Sequence, residues 1–186
     1  MRKSGLLLHI SSLPGPEGIG TLGQEARAFV DFLAKAKQRW WQILPVGPTS
    51  YGDSPYQSFS TYAGNPYFID LDMLIEDGLL EADDLKGIKW NNNATYVDYS
   101  RIYNNRFTVL AKAKERGWER DAAEVAEFMK ENSRWLPNYT MYMAVKRHFG
   151  MKAWTEWDED IRLRKAEALE KYRLRYEKKK ARENSR

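Results

Sequence analysis

The sequence contains no cysteine, only two histidines and no apolar run of the length that a membrane helix needs. The missing cysteines exclude disulfides and thiolate metal sites, which is typical of a protein of the reducing cytoplasm. His9 and His148 lie far apart in the chain, so we expect no metal site. A membrane helix takes about 20 consecutive apolar residues, so we expect no membrane partner.

The sequence also lacks a phosphate-binding loop. Gly18-Ile19-Gly20 precedes a predicted helix, but the GxGxxG spacing fails at Gly23 and the Lys-Ser/Thr of a P-loop is absent. We therefore expect no cofactor. The first apolar run, Leu6 to Ile10, is too short for a secretory signal peptide and has no cleavage site after it, so it is interpreted as a strand.

The net charge of +4 is a property of the chain's last residues. The sixteen residues from Lys171 carry eight basic and two acidic side chains, which leaves 22 basic and 24 acidic side chains for residues 1–170. A basic footprint across a whole domain is the usual sign of nucleic-acid binding. We therefore expect no nucleic-acid partner, and a solvated helix end explains the basic run more simply than a contact with RNA or a membrane surface.

The first 44 residues follow a strand–helix–strand pattern. The apolar run from Ser4 to Ile10 predicts a strand buried on both faces, and Trp40 to Leu44 predicts a second strand. Between them, residues 24–37 predict a helix whose apolar stripe is Leu22, Ala26, Phe29, Val30 and Leu33. A βαβ unit with short connections implies parallel pairing in an α/β barrel or a doubly wound sheet.

The rest of the chain predicts mainly helices. Asp70 or Asp72 caps a brief helix that Gly78 ends, and Ser100 caps a longer one. Helices are also predicted after Asp121, Pro137 and Glu159, and the last is expected to fray beyond Tyr176, where its apolar side ends. The resulting division is 1–80, with the βαβ unit and a substrate loop, 81–158, mostly helical, and 159–186, a charged helix and basic tail.

Residues 45–66 form the most distinctive stretch of the sequence. Four prolines and three glycines exclude a regular helix or an interior strand there, and the aromatic content argues against disorder. A long loop of this kind inside a compact domain is more often functional than accidental. Tyrosine rings on a rigid polar loop suit flat, half-apolar ligands such as sugars.

From Ser4 to about Leu80 the chain resembles the amylomaltases, the disproportionating 4-α-glucanotransferases of glycoside hydrolase family 77. The motifs occur in family order and at family spacing. They are Ser4-Gly5-Leu6-Leu7-Leu8-His9, Ser12-Leu13-Pro14-Gly15-Pro16, Trp41-Gln42-Ile43-Leu44-Pro45, Gly47-Pro48-Thr49, Tyr51-Gly52-Asp53-Ser54-Pro55-Tyr56-Gln57-Ser58 and Ala63-Gly64-Asn65-Pro66.

The resemblance implies an α/β fold, the N-terminal part of a TIM (β/α)8 barrel with an inserted helical subdomain, incomplete in this chain. It implies transfer of α-1,4-glucan segments to glucose or another glucan by a retaining mechanism, with maltooligosaccharides as substrates. The family's catalytic carboxylates lie on later strands, so no catalytic residue is assigned and the chain alone is expected to be inactive. Exposed barrel edges are expected to promote self-association.

The resemblance also assigns substrate-binding roles within the loop. Tyr56 matches the tyrosine that stacks on the sugar beside the scissile bond, Ser54 its hydrogen-bonding neighbour, and Tyr51 a more peripheral glucan contact. Asp53 and Gln57 are expected to brace the loop.

The residues alone leave simpler interpretations open. Tyr56 is then a packing tyrosine and Ser54 a turn residue, and His9 either faces the site or is a core histidine. The alternative function is a non-enzymatic glucan-binding or helical interaction module.

Overall fold

The computed structural model describes residues 2–49, 52–93 and 95–183, with side chains as far as residue 177. The chain forms two compact units, Met1–Ala123 and Glu124–Arg186. The sequence-based division instead placed its boundaries after residues 80 and 158, and that functional division stays a prediction. Within the described residues, none of the helices has both the length and the apolar composition to cross a bilayer.

The first unit contains the predicted βαβ arrangement. Strand β1 (Gly5–Leu7) pairs in parallel with β2 (Trp40–Gln42), and helix α1 (Gln24–Lys35) connects them. In the register, Gly5 faces Trp40 and Leu7 faces Gln42. A Cβ on residue 5 would lie 2.5 Å from the Trp40 carbonyl oxygen, so only glycine permits this close approach. Parallel pairing is confirmed.

The first strand differs from its prediction in length and in burial. It ends at Leu7, and a 3₁₀ turn (Ile10–Ser12) follows. All three β1 residues are exposed, and Leu7 retains 59% of its surface. The prediction of a strand buried on both faces was therefore wrong for β1. A parallel strand is buried only when other elements cover both faces of its sheet, and this sheet has two strands in the described part of the chain.

Helix α1 packs on the sheet through part of its predicted stripe. Ala26 and Leu33 are buried, and the Phe29 ring meets the Trp41 ring edge-on with centroids 5.0 Å apart. Leu22 and Val30 are exposed instead. The buried stripe is therefore narrower than predicted, and Leu22 lies before the first residue of the helix.

Two further helices complete the first unit. In α2 (Leu71–Glu76), Asp70 Oδ1 accepts a hydrogen bond from Met73 N at 2.9 Å, which confirms the predicted cap. In α3 (Tyr99–Arg120), Asp98 rather than the predicted Ser100 is the cap, and it accepts from Arg101 N at 3.2 Å. Gly78 follows α2 with φ +71°, the left-handed conformation in which glycine commonly ends helices.

A buried ion pair lies in the core of the first unit. The guanidinium of Arg106, on α3, donates to Glu17 Oε2 at 2.6 Å, and the two side chains are 0% and 5% exposed. Arg106 also donates to the carbonyls of Tyr67 and Ile69, while Glu17 Oε1 accepts from Leu71 N at 2.8 Å. Burial raises the pKa of the Glu17 carboxyl, and the Arg106 guanidinium opposes that rise. One ion pair thus joins α3, the loop after β1 and the start of α2.

The second unit is helical. Helix α4 (Ala122–Glu131) spans the boundary between the units, and α5 (Leu136–His148), α6 (Glu159–Arg162) and α7 (Ala166–Glu183) follow. The single last helix predicted from Glu159 is two helices, because Arg164 has φ +55° between them. The second of these two helices, α7, extends to Glu183. The core of this unit is formed by Val145, Trp157, Ile161, Ala168 and Tyr172.

Removal of Arg106 is expected to destabilise the first unit strongly. Arg106→Leu leaves the Glu17 carboxylate buried without its cation, a change that costs about 3–5 kcal/mol in other buried pairs. Urea unfolding followed by circular dichroism measures the loss. Arg101→Leu is the control on the same helix, because its pair with Asp98 is partly exposed and contributes about 1 kcal/mol or less. Equal losses in the two variants would contradict the structural role of the Glu17–Arg106 pair.

Acid is expected to weaken the first unit through His9. Its Nδ1 accepts from Leu44 N at 3.3 Å, and burial lowers its pKa from the ordinary 6.5. The unfolded chain therefore binds a proton before the folded one, so this stability is present above pH 6.5 and lost as the pH falls through the lowered folded value.

Thermal melting between about pH 7.5 and 5.5 checks this effect, since histidine titrates in that range. His9→Asn is expected to flatten the pH dependence, and His148→Gln, at the other histidine of the chain, is the control variant. An undiminished slope in His9→Asn would refute the assignment.

Candidate functional site

The loop of residues 45–66 leaves the C-terminal end of β2 and returns to its own base. The Asn65 N–H donates to the Val46 carbonyl at 2.8 Å, which closes the loop between its two arms. Gly47 lies directly against the returning arm, since a Cβ there would lie 2.4 Å from Ser58 Oγ. The loop is therefore a closed structure whose arms touch.

Serine side chains support the inside of this loop. Ser58 Oγ donates to the Ser60 carbonyl at 2.7 Å and accepts from Ser60 N at 3.2 Å. Ser60 Oγ accepts from the backbone N–H groups of Tyr62 and Ala63, each at 3.1 Å. Sequence reasoning assigned these bracing roles to Asp53 and Gln57 and missed both serines. The available signal was the tendency of serine in turns to bond the backbone two or three residues on.

The structure places Tyr56 on the outside of the loop. Its side chain keeps 72% of its surface exposed, so the ring is available to a ligand. Ser54 lies in the same turn: its Oγ accepts from Tyr56 N at 3.3 Å, and its carbonyl accepts from Gln57 N at 3.1 Å. The two predicted substrate-binding residues are thus adjacent. Tyr51, the third, lies outside the described residues.

Asp53, in the loop, interacts electrostatically with two tyrosines of the first unit. It is half-buried with φ +53°, a left-handed conformation that aspartate tolerates better than most residues. Burial raises the pKa of its carboxyl. Burial, and then the negative charge of Asp53, raise the pKa of Tyr67 to about 12. The pKa of Tyr99 is also raised, mainly by burial and further by Asp53, while a side-chain hydrogen bond with Ser11 opposes the rise. The charge of Asp53 therefore acts on two tyrosines of the first unit. Its bracing role stays a prediction.

His9 belongs to the base of this site, where β1 and β2 end. Besides accepting from Leu44 N, its ring meets Phe68 edge-on with centroids 5.4 Å apart. Of the two interpretations that the sequence left open, the structure favours the core histidine. Its imidazole holds the segment after β2, and thus the start of the loop, against the end of β1.

Three carboxylates lie close together at a separate place in the first unit. Oxygens of Glu17, Asp70 and Asp72 lie within 4.8 Å of one another and form the candidate metal-binding group in the described part of the chain. Glu17 is bound by Arg106 and Leu71 N, and Asp70 accepts from Thr21 Oγ1 at 2.5 Å and from Met73 N. Because Glu17 and Asp70 already bind protein donors, we assign these two carboxylates a structural role in the fold.

The described residues of this loop include one carboxylate, Asp53, and therefore no pair of carboxyl groups that could serve as acid and nucleophile. The loop offers an exposed phenol ring, an adjacent serine hydroxyl and polar backbone on a braced support. Aromatic rings in such a setting contact the apolar face of a flat ligand while its polar groups remain hydrated.

Comparison with known proteins gives one consistent match. Residues 8–183 match the family model described as 4-alpha-glucanotransferase. The chain is 57% identical over 174 residues to the 4-alpha-glucanotransferase of Streptococcus pneumoniae serotype 4, covering 92% of this chain and 34% of that protein. It is 50% identical over 166 residues to the Clostridium butyricum enzyme, covering 89% of this chain and 34% of that protein.

A solved structure extends the match to three dimensions. The amylomaltase from Streptococcus agalactiae in complex with acarbose superposes with a TM-score of 0.89 and 46% identity, over 94% of this chain and 36% of that chain. The chain thus spans about one third of the length of these relatives. The matched family model covers almost the whole chain, which confirms the resemblance: the chain belongs to the 4-alpha-glucanotransferase family.

Proposed function

We propose that this chain supplies one wall of the glucan-binding site of a 4-alpha-glucanotransferase, with Tyr56 as the platform for a sugar ring. The observation that carries this proposal is the exposed Tyr56 ring on a braced loop at the C-terminal end of β2. Family membership supplies the ligand class, and the related amylomaltase was solved with acarbose. Ser54 hydrogen-bonds the same sugar, and Tyr51 makes a more peripheral glucan contact.

The proposed frame for this wall is the first part of a TIM barrel. In such barrels the active site is built by the loops at the C-terminal ends of the strands, which is where this loop begins. A complete barrel takes about 250 residues, more than this chain has. The exposed faces of β1 and β2 then receive the neighbouring strands and helices.

The chemistry in this proposal needs two carboxyl groups that the described loop does not provide. A retaining transfer uses an acid/base and a nucleophile about 5–5.5 Å apart on either side of the bond to be cut. We place both in the part of the relatives that this chain does not match. The chain alone then binds glucan and does not transfer it, and the absence of cysteine favours a cytoplasmic setting.

Combining the two parts tests this function. The chain is co-expressed with the unmatched remainder of the Streptococcus pneumoniae enzyme and assayed for disproportionation of maltotriose. We expect activity from the pair and none from either part. Tyr56→Ala is expected to lower the pair's activity about threefold to tenfold, because an aromatic contact contributes about 0.5–1.5 kcal/mol.

Tyr62→Ala is the matched control, since Tyr62 is 65% exposed on the same loop. Equal losses in the two variants would remove the case for Tyr56 as platform. Transfer activity in the chain alone would overturn the placement of the carboxylates. Glucan binding by a co-folded but inactive pair would favour the alternative, a non-enzymatic glucan-binding module.

We also propose that the isolated chain associates with itself through the exposed sheet. Leu7→Asp places a charge on that face and is expected to shift the sedimentation profile toward monomer. Leu163→Asp, at a leucine of equal 59% exposure in the second unit, is expected to leave the profile unchanged. A wild-type chain that stays monomeric across a concentration series would refute self-association.

A further inference from the structure

The second unit contains a cavity whose lining is mainly apolar. It has a volume of about 310 Å³, and its apolar walls include Met141, Tyr142, Trp154, Trp157, Ile161 and Leu169. Cavities that bind small molecules begin at about 300 Å³ and are lined mainly by apolar and aromatic side chains, with a few polar or charged groups. All the lining residues lie within Glu124–Arg186, so one compact unit builds the whole cavity.

Two arginines, Arg162 and Arg164, also line this cavity. Arg162 donates to the Thr155 carbonyl at 3.1 Å, and Arg164 donates to Asn138 Oδ1 at 2.9 Å. These hydrogen bonds connect the two guanidinium groups to the 3₁₀ turn Trp154–Glu156 and to α5. Because a guanidinium has five N–H groups, each arginine keeps donors for a further partner.

The partners of both arginines are neutral. Among the described residues, neither Arg162 nor Arg164 forms an ion pair with a carboxylate. Arg173, on α7 of the same unit, instead pairs with Glu170 at 2.7 Å and with Glu177 at 3.3 Å. The cavity therefore combines apolar walls with two positive charges that no carboxylate of the described chain neutralises.

This combination selects an apolar ligand with a negative charge. A guanidinium binds a carboxylate through two parallel hydrogen bonds, which are stronger than bonds between neutral groups. Both arginines would repel a cationic ligand, and a neutral apolar ligand would gain from the walls alone. An amphiphilic carboxylate uses both parts of the cavity, because its hydrocarbon chain leaves water and its charged end meets the guanidinium groups.

We propose that this cavity binds a medium-chain carboxylate, with the hydrocarbon chain against the apolar walls and the carboxylate on Arg162 and Arg164. The site shares no lining residue with the loop of residues 45–66. Its ligand class is therefore independent of the proposed glucan function, and either can fail without the other.

A comparison of three ligands tests the site on the wild-type chain. The readout is the indole signals in ¹H–¹⁵N spectra, which Trp→Phe variants assign. Octanoate is expected to shift the Trp154 signal saturably and to leave unmoved that of Trp40, a tryptophan of the first unit with 63% exposure. Octan-1-ol lacks the charge and is expected to bind about tenfold more weakly, and acetate lacks the hydrocarbon chain and is expected to cause no shift.

Equal affinities for octanoate and octan-1-ol would show that the arginines do not select the ligand, and would overturn the proposal. A Trp40 signal that follows octanoate in parallel with Trp154 would identify non-specific apolar binding, with the same consequence. Both outcomes are read from the wild-type chain, so they do not depend on the folding of a variant.

Arginine variants test the charged end of the site. Arg162→Gln and Arg164→Gln are each expected to weaken octanoate binding about tenfold, because each removes a hydrogen bond between charged groups. Arg147→Gln, which removes a positive charge from α5 outside the cavity lining, is the matched control. Wild-type affinity in both cavity variants would refute the assigned role of the arginines.

The pair formed with the unmatched remainder of the Streptococcus pneumoniae enzyme provides a last test. We expect it to bind octanoate as the chain alone does. Loss of octanoate binding in the folded pair would show that a segment of the remainder occupies the cavity, and would overturn the proposal of a small-molecule site.

Discussion

The contact between Glu17 and Arg106 organises the first unit. A buried guanidinium needs an anion and several acceptors, because burying an unpaired charge costs far more than any packing gain nearby. The Arg106 guanidinium donates to the carboxylate of Glu17, in the loop after β1, and to the carbonyls of Tyr67 and Ile69. Glu17 in turn holds the first N–H of α2. These contacts fix the position and orientation of α3 relative to the segment that follows the loop of residues 45–66.

This arrangement gives the loop a rigid base at both ends. At its start, His9 binds Leu44 N, and at its finish the 3₁₀ turn Pro66–Phe68 lies next to the carbonyls that Arg106 holds. Asn65 closes the loop at Val46, and the serines brace it inside. A side chain binds a ligand more tightly when the loop that carries it is already ordered, because binding then costs less conformational entropy. Tyr56 can therefore remain exposed and still be well placed.

Local signals in the sequence predicted part of this architecture. The parallel βαβ unit, the Asp70 cap and the exceptional loop follow from short-range patterns of apolar, capping and turn residues. Asp98 was missed as the cap of α3 because Ser100, two positions on, satisfies the same rule. Glu17 had no local signal, since an acidic residue in a Gly/Pro-rich loop is ordinarily solvated and its partner lies 89 residues away. Burial of β1 could not be predicted from its apolar residues, because burial depends on what covers the sheet.

The same separation has a consequence for synthesis on the ribosome. Glu17 leaves the ribosome long before Arg106, and chains grow at about 5–20 residues per second. During those seconds β1, α1 and β2 can form with local contacts, while the carboxylate of Glu17 has no cation and must stay in water. The ion pair that anchors the segment after the loop of residues 45–66 cannot form until α3 has been translated. A ribosome paused before residue 106 would hold a nascent chain in which Tyr56 is already made, while the segment after its loop still lacks the Arg106 contacts to Tyr67 and Ile69.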